Sequence, residues 1–147
     1  MTVWDYALAQ FHFYTPSEEQ IDGKPYPMVA HLVHKDAQGD LAVIAVLFKE
    51  GKEKAALKPL FANLPQKAGD TGKLASFDPA GLLPSGSGFY QFIGSLTTPP
   101  CSEDVLWRVM KTPAEVSLAQ LAAFRKLYKM NARPVQPLGG RVVQQSR

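Results

Sequence analysis

The most constraining feature of this sequence is an alternation of side-chain types between residues 8 and 14. Gln10, His12 and Tyr14 occupy every second position, and phenylalanines lie between them. Because successive side chains of a β-strand point to opposite faces, this spacing predicts a strand. One face of that strand is apolar, and the other carries a polar row that we expect to face inward.

Neighbouring segments predict further strands of the same sheet. Residues 28–34 place Val29, His31 and Val33 on one face of a second strand. Residues 41–48 are nearly all apolar, which is typical of a central strand buried on both faces. A hairpin-like turn before residue 41 joins the two strands. Two more strands are predicted at residues 89–93 and 105–110.

Two helices are predicted beside these strands. Apolar residues recur at helical spacing between 57 and 64, which indicates a helix of two to three turns. Ser117, followed three residues later by Gln120, forms a capping box that opens a second helix through about residue 129. The remaining segments are predicted to be irregular, with a long ordered loop at 66–88 and a coil tail from residue 131.

Length and composition describe an ordinary globular domain. A chain of 147 residues suits one domain, here residues 1–147, and 46% hydrophobic with 20% charged residues is enough apolar content for a core. Together with the strands and helices predicted above, this indicates a mainly β, α+β fold with helices at the periphery of the sheet.

Charge and hydropathy favour neither a nucleic-acid nor a membrane partner. The 16 Lys and Arg residues against 13 Asp and Glu give a net charge of +3 without a local basic block. No apolar run reaches the about 18 residues of a spanning helix, and Met1–Gln10 lacks the pattern of a signal peptide. The lone Cys101 cannot close an internal disulfide, and we expect it to be a small buried apolar residue.

The histidines are candidate metal ligands. A His-x-His pair on a strand sends both imidazoles to one face, and a third histidine from the next strand can complete a tetrahedral site. Here Tyr14 stands two residues after His12, so only His31 remains as a further ligand. From the residues alone, two such histidines are more often packed or hydrogen-bonded side chains than ligands. His34 falls on the opposite face from His31 and is expected to be structural.

Five separated blocks carry a resemblance to a known family. They are Gln10-Phe11-His12-Phe13, Pro16-Ser17-Glu18, His31-Leu32-Val33-His34-Lys35-Asp36 with Leu41-Ala42-Val43, Gly94-Ser95-Leu96-Thr97-Thr98-Pro99-Pro100-Cys101-Ser102-Glu103, and Asn131-Ala132-Arg133-Pro134-Val135-Gln136-Pro137-Leu138. In this order they resemble an alpha-type carbonic anhydrase of bacterial kind. The resemblance implies a mostly antiparallel sheet with a cone-shaped pocket, in which a zinc hydroxide converts carbon dioxide reversibly to bicarbonate.

The resemblance also implies roles for individual residues. His12 and His31 match the first and third zinc ligands, and Gln10 matches the group that orients the first. Thr97 matches the residue that orients the hydroxide, and Glu18 matches the carboxylate that accepts a hydrogen bond from this threonine. The resemblance implies an apolar wall for carbon dioxide, formed by Val33, Val43, Leu96, Val105 and Trp107. Thr98 is implied at the rim of this wall.

Three positions depart from the family pattern. Tyr14 replaces the second histidine ligand, Val29 replaces the carboxylate two residues before the third ligand, and Glu19 replaces a histidine. A phenol with a pKa near 10 must lose its proton to bind metal well. Without a carboxylate at position 29, His31 is expected to lose the partner that fixes its tautomer, at a cost of roughly 10- to 100-fold in affinity or activity.

Two further expectations follow from the resemblance. The family's long N-terminal stretch has no counterpart in Met1–Ala9, so we expect an exposed sheet edge and a homo-oligomer. The bacterial family is usually exported to the periplasm, whereas this sequence carries no export signal, and the compartment stays open.

Two functions are consistent with these residues. The first is a carbonic-anhydrase-like enzyme with weakly bound zinc and low activity. The alternative is a catalytically silent carbonic-anhydrase-related binding module. Tyr14 and Val29 favour the silent module, and the retained Thr97, Glu18 and apolar wall favour the enzyme.

Overall fold

A mixed, mostly antiparallel β-sheet forms the centre of the molecule, whose computed structural model describes residues 5–147. The strands are β1 (Ala7–Tyr14), β2 (Gln20–Ile21), β3 (Lys24–Pro25), β4 (Met28–Lys35), β5 (Leu41–Glu50), β6 (Phe89–Gly94), β7 (Val105–Met110), β8 (Ala114–Val116) and β9 (Gln144–Gln145). Within the described residues, the main sheet has the order β1-β4-β5-β7-β6-β9, with β8 beside β5. The predicted mainly β fold is confirmed.

The strand register brings both candidate histidines to the middle of the sheet. β1 and β4 are antiparallel, and His12 lies directly opposite His31. β4 and β5 are also antiparallel, so the same row continues from His31 to Ala45. β5 then pairs in parallel with β7, which places Val43 opposite Trp107. The histidines and the predicted apolar wall therefore lie on one face of the sheet.

The opposite face of the sheet packs against the helices. Met28, Phe48, Leu57 and Leu121 are completely or almost completely buried in this layer. The second helix, α2 (Leu118–Leu127), begins at the predicted capping box, which confirms that prediction. Burying its apolar stripe, rather than the intrinsic helix propensity of ten residues, holds α2 on the sheet.

The first helix is shorter than predicted. A 3₁₀ turn at Ala55–Leu57 leads into α1 (Lys58–Phe61), which is a single α-helical turn. Pro59 lies in that first turn, where its missing N–H is tolerated. The helix ends at Phe61, and Pro65 disfavours helical conformation at the residue before it, so the helix does not extend to the predicted length.

Two irregular segments carry more structure than the sequence indicated. The loop at 66–88 contains a 3₁₀ turn at Pro79–Leu82, whose first N–H group is capped by Asp78. The prediction of a coil tail was wrong for β9, which pairs with β6.

No helix in the described part of the chain is both long enough and apolar enough to cross a bilayer.

Candidate functional site

Two histidines face each other across β1 and β4. The ring centroids of His12 and His31 are 5.5 Å apart, with the rings nearly perpendicular. His31 is 1% exposed, and His12 is half-buried. Directly opposite residues in an antiparallel pair share one face and stand close enough for their side chains to interact. The alternation places each histidine on this face of the sheet, and the register of β1 against β4 brings the two histidines together.

Tyr14 completes a cluster of three rings with the histidines. Its ring centroid lies 5.2 Å from that of His12 and 5.2 Å from that of His31. The side chain is buried, and its hydroxyl hydrogen-bonds to the side chain of Thr97. Burial is the main cause that raises the pKa of Tyr14 above its usual value, with Thr97 acting in the opposite direction. Tyr14 is therefore a neutral phenol at neutral pH.

Gln10 fixes the orientation of His12. The amide oxygen of Gln10 lies 2.8 Å from Nδ1 of His12, so Nδ1 donates and the neutral ring keeps its lone pair on Nε2. Burial, followed by the neighbouring His31, lowers the pKa of His12 to about 4, and Glu19 acts in the opposite direction. His12 is therefore neutral at neutral pH, which is the form that binds metal.

The acceptor that orients His31 comes from a loop. Nε2 of His31 lies 2.5 Å from Oε1 of Glu19, whereas Nδ1 is 4.0 Å from Oε2 of Glu18. The expectation that His31 lacks a carboxylate partner was wrong, because the loop between β1 and β2 carries Glu19 to the ring. Val29 is completely buried and offers no acceptor. The ring of Trp107 also packs edge-on against His31, with centroids 4.8 Å apart.

Hydrogen bonds anchor the loop that carries the two glutamates. The hydroxyl of Ser17 donates to the carbonyl of Glu19 and accepts from the N–H of Tyr26, at 2.5 and 2.9 Å. The N–H of Ser17 in turn donates to the carbonyl of Tyr26 at 2.8 Å. These bonds fix the backbone on both sides of Glu18, so the carboxylates are held at the site.

Glu18 does not accept a hydrogen bond from Thr97 in this structure. Its Oε1 accepts from the backbone N–H of Arg133 at 2.9 Å, and its buried Oε2 has no hydrogen-bond partner among the described residues. Thr97 instead contacts Tyr14. The hydroxyl of Thr97 therefore lies at the three-ring cluster, but the link from Thr97 to Glu18 that the family resemblance implies is absent.

The C-terminal segment braces the end of β1, which the sequence did not indicate. Asn131 accepts from the N–H of Thr15 at 2.8 Å and donates to the carbonyl of Phe13 at 3.1 Å. Two residues later, Arg133 contacts Glu18 as described above. In the sequence, the only indication of this contact is the polar side chain of Asn131 in a Pro-rich tail.

Apolar residues lie beside the histidines. Val33, Val43, Val105 and Trp107 are buried, and Leu96 packs against them from the side. The indole N–H of Trp107 donates to the carbonyl of Ser95 at 3.0 Å, which ties the loop after β6 to the sheet. Of the remaining predicted positions, Thr98 is exposed, and Cys101 is partly exposed rather than buried. His34 lies on the other face and donates from Nδ1 to the carbonyl of Leu32 at 2.8 Å.

The donor set of this site is two imidazoles and a phenol. Among residues 5–147, no three His, Cys, Asp or Glu side chains are grouped so that they could hold a metal ion. Each histidine nevertheless has one ring nitrogen bonded to an acceptor, which leaves the other nitrogen available. The arrangement leaves one ring nitrogen of each histidine without a hydrogen-bond partner in the described part of the chain, next to the phenol ring of Tyr14.

Comparisons with known proteins assign the family. Residues 2–147 match the family model of the eukaryotic-type carbonic anhydrases. A carbonic anhydrase of Klebsiella pneumoniae is 49% identical over 140 residues, covering 94% of this chain and 57% of the relative. A carbonic anhydrase of Neisseria gonorrhoeae is 46% identical over 139 residues, covering 94% and 55%. The chain thus spans about half of the length of the curated relatives that it matches.

Solved structures agree with this assignment. The alpha-carbonic anhydrase of Thermovibrio ammonificans, in complex with the inhibitor sulfanilamide, matches with a TM-score of 0.92 and 47% identity, covering 94% of this chain and 62% of that one. A hyperthermostable carbonic anhydrase from a hydrothermal vent chimney matches with a TM-score of 0.93 and 47% identity, covering 99% and 67%. Sequence and fold together place the chain in the carbonic anhydrase family of eukaryotic, or alpha, type.

Proposed function

We propose that this protein carries out the reaction of its family, the reversible hydration of carbon dioxide to bicarbonate, at a low rate. The observation that carries this proposal is the pair formed by His12 and His31. The two side chains lie directly opposite each other, and each has one ring nitrogen bonded to an acceptor. That arrangement prepares two nitrogen ligands of defined orientation beside an apolar wall.

The residues fit zinc in part. The family is zinc-dependent, and zinc, when bound, is a Lewis acid that lowers the pKa of water to about 7. His12 and His31 would hold it. A catalytic zinc site normally has three protein ligands, and here the third position is the buried phenol of Tyr14, whose pKa is raised. Because that phenol keeps its proton at neutral pH, we expect weak zinc binding, with Tyr14 or water completing the ligand set.

The surrounding residues suit the substrate. Carbon dioxide carries neither charge nor dipole, so Val33, Val43 and Trp107, buried on the same face as the histidines, form an appropriate surface for it. Leu96 and Val105 extend this surface. The hydroxyl of Thr97 lies at the three-ring cluster, where it would orient an oxygen ligand by hydrogen bonding.

A catalytically silent binding module is the second candidate. The observation that favours it is the hydrogen bond between Tyr14 and Thr97, because this bond occupies the hydroxyl that would order a water molecule. The ring cluster contains only two histidines, and no three His, Cys, Asp or Glu side chains among the described residues are grouped to hold a metal ion, which favours the silent module as well. In such a module the ring cluster would be a packing arrangement retained from the family fold.

Zinc content and hydration rate separate the two candidates. The purified protein is dialysed, its bound zinc is measured, and the hydration of carbon dioxide is followed by stopped flow with and without added zinc. We expect substoichiometric zinc and a slow zinc-dependent rate. Tyr14→His should raise both quantities, whereas the control Tyr14→Phe, which supplies no ligand, should not. No zinc and no rate in either the unmodified protein or Tyr14→His would refute the enzyme proposal.

A further inference from the structure

The contact between Glu19 and His31 determines which ring nitrogen is free. Oε1 of Glu19 and Nε2 of His31 are 2.5 Å apart, and both side chains are largely withdrawn from solvent. An ionised carboxylate can only accept hydrogen bonds, so the hydrogen of this bond lies on Nε2. In a neutral ring, the lone pair is then on Nδ1.

The second carboxylate leaves Nδ1 of His31 unoccupied. Oε2 of Glu18 is 4.0 Å from Nδ1, which is beyond hydrogen-bond length. Glu18 is instead engaged through its Oε1 by the backbone N–H of Arg133. The two adjacent glutamates therefore act differently: Glu19 contacts the ring, whereas Glu18 contacts the C-terminal segment.

Stability alone does not account for Glu19 at this place. Its Oε2 is buried without a hydrogen-bond partner among the described residues. Removing a carboxylate oxygen from water without supplying a donor is unfavourable. The loop hydrogen bonds of Ser17 involve only the backbone of Glu19, so the fold of the loop does not depend on the carboxylate. What the carboxylate does supply is an acceptor for His31.

We propose that Glu19 is a positioning residue that holds His31 as the Nε2–H tautomer and so keeps Nδ1 available as a ligand. Val29, on the face of β4 that carries His31, has no acceptor group, and the carboxylate of Glu19 reaches the ring from the loop instead. The value of this arrangement for catalysis rests on the proposed function. The tautomer itself does not, because it is set in the metal-free protein.

The tautomer can be read directly by nitrogen NMR. The ¹⁵N-labelled protein is prepared with a chelator to remove metal, and the His31 signals are assigned by comparison with His12→Gln and His34→Gln. We expect a hydrogen on Nε2 and none on Nδ1. Glu19→Gln keeps an acceptor oxygen and should retain this tautomer, whereas Glu19→Ala should give a mixture of tautomers. The control Glu50→Ala, at an exposed carboxylate at the end of β5, should leave the signals unchanged.

Three results would overturn the inference: hydrogens on both nitrogens of His31, a hydrogen on Nδ1 alone, or an unchanged tautomer in Glu19→Ala. Zinc affinity, measured by competition with a chromogenic chelator, supplies a second readout. We expect Glu19→Ala to weaken zinc binding by roughly 10- to 100-fold and Glu19→Gln to weaken it less. If the unmodified protein binds no zinc while the tautomer result holds, the proposed function fails and the positioning role of Glu19 stands.

Discussion

Acidification should weaken the metal-free fold through His12. Burial and the adjacent His31 lower its pKa to about 4 in the folded protein, from the ordinary value of 6.5 that applies in the unfolded chain. The unfolded chain therefore binds a proton at a higher pH than the folded protein does. Above pH 6.5 His12 contributes no penalty, and the penalty grows as the pH falls from 6.5 to about 4.

The size of this effect follows from the two pKa values. One pKa unit corresponds to about 1.4 kcal/mol, so the full difference is about 3 kcal/mol below pH 4. Between pH 7 and pH 5, the same linkage relation predicts that the free energy of unfolding falls by about 2 kcal/mol. A loss of this size is a large fraction of the stability of a typical small domain.

Urea unfolding in the presence of a chelator measures the effect. The loss of unfolding free energy between pH 7 and pH 5 is compared in the unmodified protein and in His12→Gln, in which the side chain at position 12 no longer titrates. The variant should lose about 2 kcal/mol less than the unmodified protein. The control His34→Gln, on the opposite face, should retain most of the dependence. Equal pH dependence in the unmodified protein and His12→Gln would refute the claim that His12 is held neutral beside His31.

The packing and the association of the chain give three further predictions. Leu121→Ala should reduce the free energy of unfolding by about 2–5 kcal/mol because it empties a fully buried position, whereas Leu118→Ala, at an exposed position of the same helix, should change it little. Ser117→Ala should cost about 1 kcal/mol by removing the capping box, also read by urea unfolding. Within the described residues, β1 pairs on one side only, with β4, and the first part of β1 is exposed. Because an exposed strand edge can pair with another chain, light scattering at micromolar concentration should show a homo-oligomer. A monomeric mass would contradict this prediction.

The strands that position the site are predictable from residue alternation. Period-two spacing assigns His12 and Tyr14 to one face of β1, and His31 and Val33 to one face of β4, because a strand has only two faces. The apolar run of β5 indicates a central strand, since both of its faces must be covered. The cluster of three rings also requires the register that places His12 opposite His31, which alternation alone does not fix.

The partners of the site residues are not predictable in the same way. Glu19 reaches His31 from a loop whose path depends on the hydrogen bonds of Ser17. Arg133 contacts Glu18 from 115 residues away, and it does so through its backbone, which has no sequence signature. Two adjacent carboxylates in a Pro-rich loop were the available signal, because buried acidic residues need a partner.

The parallel pairings also exceed what local patterns encode. β7 and β8 both pair with β5 in parallel, which requires long connections between strands that are distant in sequence. The connection from β5 to β7 includes the long loop predicted at 66–88, which is irregular apart from the 3₁₀ turn at Pro79–Leu82. The wall around Val43 and Trp107 depends on this pairing, so its composition could be inferred only through the family resemblance.

Zinc-edge X-ray absorption of the zinc-loaded protein tests the central claim most directly, because it reports the ligand atoms themselves. We predict two imidazole nitrogens at about 2.0–2.1 Å from the metal, completed by oxygen ligands. The His12→Gln variant should show one imidazole fewer. A spectrum with oxygen ligands only, or the same imidazole signal in His12→Gln, would contradict the assignment of His12 and His31 as the metal-binding pair.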